Sequence, residues 1–131
     1  MLSDYSSKAL AQLLASLPDL QGLFTEREDY FVIDTTSPAG WPFWVDSDDE
    51  QITVGFAEYH CHCGGFAGST VEADVAEAVD FIQALRTGQL VLAVSFRGEE
   101  YAGSYPLPPD EQPRNFATGA NTSLKIRRWS E

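Results

Sequence analysis

The hydrophobic period of this chain changes in its middle, and that change constrains the fold more than any other feature. Between "GGFAGS" and "TGQ" the apolar residues Val71, Val75, Ala78, Val79, Ile82 and Leu85 recur every three or four positions, while Glu72, Asp74, Glu77 and Asp80 take the other faces. On either side of this segment apolar and polar residues alternate instead, the pattern of strands with one buried face. Ser69 followed by Glu72 has the spacing of a capping box, and Gly88 stands where a glycine ends a helix. A helix is therefore set between two groups of strands.

The first segment places Leu10, Leu13, Leu14 and Leu17 on one helical stripe, with Ser3 or Asp4 as N-cap and Pro18 closing the helix near Ser16. Strands are expected over 30–35, 42–47, 51–60, 90–96, 99–105 and 122–129, with the acidic turn "SDDE" joining the second to the third and Arg97-Gly98 joining the fourth to the fifth. "PLPPDEQPRN" reads as a loop, because its four prolines remove ladder donors. The resulting order, α-β-β-β-α-β-β-β, implies an α+β fold: a mainly antiparallel sheet of about six strands, with two helices on at least one face.

With 131 residues, 44% of them hydrophobic and 21% charged, the chain fits a single domain, 1–131, that buries a core without disulfide support. Cys61 and Cys63 are too close in sequence to staple a fold, which points to a reducing cytoplasm. The N-terminus does not resemble a secretory signal, and no run approaches membrane-spanning length, so no membrane partner is expected. The net charge is -12, and residues 1–111 carry 19 acids against 4 bases, whereas 112–131 carry 4 bases and 1 acid. Such a surface repels a polyanion, which argues against a nucleic-acid partner and suits a basic protein.

All histidines and cysteines of the chain lie in "YHCHC", residues 59–63. If the strand from Gln51 continued in strict alternation, Ile52, Val54, Phe56, Glu58, His60 and His62 would share one face, and Thr53, Ala57, Tyr59, Cys61 and Cys63 the other. A His-x-His pair on a strand can chelate zinc, copper or iron, with Glu58 or an Asp of "DSDDE" completing the shell. The four ligands of "HCHC" cannot converge on one ion while extended, and the same opposition separates each thiol from an imidazole base. The plainer reading makes Cys61 and Cys63 small core residues beneath the next helix and the histidines a polar strand end. "GGFAG" has neither the spacing of a dinucleotide fingerprint nor the lysine of a phosphate loop, so no cofactor and no catalytic set is identified. Trp41, Phe43, Trp44, Tyr59 and Phe66 supply aromatic area for packing or for an interface.

The stretch "WPFWVDSDDEQITVGFAEYHCHCGGF", residues 41–66, resembles small bacterial immunity proteins of polymorphic toxin systems. The motif residues are Trp44, Gly55, Tyr59, His60 and His62; Cys63 and Gly64 stand where that pattern has an aromatic residue and an acid. The resemblance implies a non-enzymatic cytoplasmic α+β domain that neutralises a cognate toxin. In that reading Asp46, Asp48, Asp49 and Glu50 meet a basic toxin cleft, Trp41 and Tyr59 anchor the contact, and Trp44, His60 and His62 complete the partner-binding surface. The alternative is a small metal-binding protein or metal-dependent enzyme using His60, His62 and Glu58.

Overall fold

A computed structural model describes residues 1–131. The chain folds in the order α1 (Asp4–Ser16), a short 3-10 turn (Pro18–Leu20), β1 (Phe24–Arg27), β2 (Tyr30–Thr36), β3 (Pro42–Ser47), β4 (Gln51–Phe56), β5 (Tyr59–Gly64), α2 (Val71–Arg86), β6 (Val91–Arg97), β7 (Glu100–Leu107) and β8 (Thr122–Arg127). The fold is α+β, and every strand pairing is antiparallel. Strands β1 to β5 form a five-stranded meander in chain order, and the other three form a second sheet in the order β7-β6-β8. The six expected strands thus become eight in two sheets.

The largest departure from expectation lies at Ala57 and Glu58. Instead of one strand through 51–60, the chain reverses over these two residues, with Ala57 in the left-handed region at φ 53° and its N–H donating to the Pro42 carbonyl at 2.8 Å. This reversal sets Cys63 opposite Ile52 and Cys61 opposite Val54, while His62 stands opposite Thr53 and His60 opposite Gly55. The histidines therefore do not share a face with Ile52 and Val54. The cysteines take that place.

Both helices pack on one face of the meander. Phe31, Ile33, Phe43, Val45, Ile52, Val54 and Cys63 are each 2% exposed or less, beneath Ala9, Leu10 and Leu13 of α1 and Val75, Ala78 and Ile82 of α2. Burying each large side chain contributes on the order of 1.5–3 kcal/mol. Ser3 caps α1 by accepting from the Ser6 N–H at 3.1 Å. Thr70, one residue later than expected, caps α2 by accepting from the Ala73 N–H at 3.1 Å. Gly88 follows the end of α2 at φ 78°, as its position in the sequence requires.

Two polar contacts fix the helices in place. The Ser6 and Ser47 hydroxyls meet at 2.7 Å in the core, which pins α1 to the end of β3. The Tyr5 hydroxyl donates to the buried Asp74 carboxylate at 2.6 Å and joins the two helices. Burial and this carboxylate push the Tyr5 phenol up, so it remains a neutral donor.

The second sheet joins the end of α2 through Phe56, Leu85, Leu92 and Val94. Segment 108–121 runs over its far side, where the Phe116 N–H donates to the buried Ser95 hydroxyl at 2.9 Å. Pro106, expected in a loop, belongs to β7, and the outer position of β7 in its sheet accommodates a residue without an N–H. Trp129, expected in the last strand, lies beyond the end of β8. It packs edge-on against Phe43 at 5.0 Å and beside Phe56 at 5.7 Å, with the Arg86 guanidinium 5.5 Å from its ring. Arg86 in turn holds Asp19 through bonds of 3.0 and 2.8 Å, which lower that carboxyl below its usual range.

Candidate docking face

The second face of the meander carries no helix. Along its strands lie Val32 and Asp34 of β2, Trp44 and Asp46 of β3, Thr53 and Gly55 of β4, and His60 and His62 of β5, all facing away from the core. Two rows cross the sheet side by side. In one, Val32, Asp46, Thr53 and His62 are direct cross-strand neighbours; in the other, Asp34, Trp44, Gly55 and His60 are. Four of the residues singled out in the sequence, Trp44, Asp46, His60 and His62, are thereby brought together.

Each has a local physical cause. The Trp44 indole lies flat on Gly55: a Cβ added there would stand 1.9 Å from Trp44 Cε2, so only glycine leaves room for the ring. Asp46 is partly covered, and burial pushes its carboxyl above the ordinary carboxylate range, although the neighbouring Thr53 hydroxyl works in the opposite direction. His62 Nδ1 lies 2.9 Å from the Thr53 hydroxyl and 3.3 Å from Gln51 Nε2. The two imidazole rings sit 5.3 Å apart and both are exposed.

The acidic turn closes one end of this face. Asp48 shapes it, accepting from the N–H groups of Glu50 at 2.8 Å and Gln51 at 2.9 Å, while Asp49 and Glu50 remain exposed. The Gly65 N–H donates to the Glu50 carbonyl at 3.0 Å and draws the following glycine-rich loop against the turn. That loop presents Phe66 with 66% of its surface exposed, an apolar side chain beside a charged rim. The sequence names Phe66 among the aromatics, yet only this tether gives it a place at the site. The only Lys or Arg on the strands of this sheet is Arg27, at the β1 end.

Three residues of the sequence reading stand elsewhere. Tyr59 lies on the helix-facing side against Phe81, with ring centres 6.1 Å apart, and burial raises its phenol. Trp41 stacks beneath the Arg127 guanidinium at 4.2 Å, near the junction of the two sheets. Glu58 makes a paired contact with Arg127, at 3.1 and 2.7 Å, and so is committed to joining the sheets, away from His60 and His62. No group of three or more His, Cys, Asp and Glu side chains is arranged to hold a metal ion.

Cys61 and Cys63 are free thiols turned toward α2. The proximity of the two thiols lowers Cys61 and raises Cys63, and burial adds to the rise of Cys63. With both imidazoles on the opposite side of the strand, neither thiol has a histidine base within its own face. No helix is long and apolar enough to cross a membrane. Compared with protein-family models, curated proteins and solved structures, the chain matches none of them.

Proposed function

We propose that this chain is a non-enzymatic immunity protein that acts in the cytoplasm, binding a cognate bacterial toxin domain and covering a basic site on it. The observation that carries this reading is the uncovered sheet face, where Trp44, Asp46, His60 and His62 lie together beside an acidic turn and the exposed Phe66. A flat indole and a protruding phenyl ring supply apolar anchors, and Asp34, Asp46, Asp49 and Glu50 supply the field that steers a basic partner. The resemblance of residues 41–66 to immunity proteins agrees with this use of the face. Trp41 and Tyr59, engaged in packing, support the face from behind.

The test pairs this chain with candidate toxin domains encoded by the same genome. Co-expression is expected to restore growth, and the purified pair to associate more slowly as salt rises. Replacing Asp49 and Glu50 by Asn and Gln is expected to slow association several-fold, whereas Trp44→Ala mainly speeds release. Unchanged binding in both variants overturns the assignment of this face.

A further inference from the structure

The Thr53 hydroxyl meets His62 Nδ1 at 2.9 Å, and Gln51 makes a longer contact of 3.3 Å to the same nitrogen. These contacts engage Nδ1 and leave Nε2 as the ring nitrogen of His62 without a hydrogen bond to the protein.

His60 stands next to it with no side-chain hydrogen bond of its own, its ring centre 5.3 Å from that of His62. Two imidazoles bound to one tetrahedral ion at ordinary nitrogen–metal distances have ring centres about 5 Å apart. We propose that His60 and His62 form a two-imidazole site for a divalent first-row ion of the Ni2+, Cu2+ and Zn2+ class, with Thr53 as the outer partner that orients His62. This goes beyond the docking role and does not depend on it. Because no third acidic, histidine or cysteine ligand converges, water fills the remaining positions and the ion exchanges freely. Glu58, the ligand expected from the sequence, is held by Arg127 and takes no part.

Ni2+ alone, titrated into the whole chain by calorimetry, tests the site without a partner protein. The expected result is one ion per chain, with binding weakened roughly ten-fold or more by His60→Ala or His62→Ala and unchanged by Cys61→Ser. Thr53→Val keeps both ligands and is expected to weaken binding about ten-fold through loss of orientation. Nitrogen NMR with and without Zn2+ reads the coordinating atom directly, and the expected shift is at His62 Nε2, with Nδ1 kept by Thr53. Absence of saturable binding, binding that survives the double histidine variant, or loss in Cys61→Ser overturns the site. Metal coordination through Nδ1 of His62, or unchanged affinity in Thr53→Val, overturns the orienting role of Thr53.

Discussion

On the helix-facing side of the five-stranded sheet, Phe31, Ile33, Phe43, Val45, Ile52 and Val54 are fully buried. One residue away in the same strands stand Val32, Asp34, Trp44, Asp46, Thr53 and Gly55, on the face that carries no helix. The backbone ladder is common to both sides, so the contrast isolates what side chains contribute. The inner side supplies the burial that pays for chain entropy, and its residues are interchangeable only with others of similar volume. The outer side is under no such constraint, yet it holds a partly covered carboxyl and a ring laid over glycine. Those features serve no need of the core.

The widest break between the two sides is expected in stability. Phe43→Ala removes a ring from the core and from its contact with Trp129, and is expected to cost about 3–5 kcal/mol in urea denaturation. His60→Ala, on the outer side, is expected to stay within about 0.5 kcal/mol. Equal losses would mean that the outer side is part of the folding core. Next in size comes Gly55→Ala, in which the new methyl displaces the Trp44 indole at a cost of about 1–3 kcal/mol and shifts tryptophan emission to the red. Adding Trp44→Ala to that variant removes the clash, so the two changes are expected to be non-additive. Additive losses would show that the indole does not rest on Gly55.

The inner side was largely legible in the sequence, because period and volume are local properties. The stripe of α2 and the alternation in 30–35 and 42–47 mark the buried residues directly. Strand β1 was not legible, since "FTER" has one apolar residue and pairs only at its edge with β2. The turn at Ala57 and Glu58 carries no Gly, Asn or Pro, and its φ of 53° is imposed on an alanine by the surrounding ladder. Missing that turn inverted the parity of His60 and His62 relative to Ile52. The opposition of histidines to cysteines survived, because it depends only on adjacent positions in one strand. The row from Asp46 through Thr53 to His62 depends on the register of three strands, which no single segment encodes.

The smallest expected effect is the one most specific to the outer side. Burial raises the Asp46 carboxyl, so the folded chain holds that proton at a pH where the unfolded chain has released it. The protonated form therefore favours folding at acid pH, and this contribution is lost as pH rises from the ordinary carboxylate value through the higher folded one. Asp46→Asn keeps the shape of the side chain and removes the charge, so at neutral pH its urea midpoint is expected to equal or slightly exceed that of the wild type. Its pH profile is also expected to lose part of the decline above the ordinary carboxylate value. Asp19, lowered by Arg86, has the opposite sign: its stabilisation exists above the ordinary value and is lost as pH falls through the folded one. Asp19→Asn is thus expected to lower the neutral-pH midpoint slightly, an exposed ion pair being worth little. A chain that keeps Asp46 against its own stability uses that charge for something other than folding. An Asp46→Asn variant less stable than the wild type at neutral pH would instead make Asp46 a structural residue and erase the distinction between the two sides.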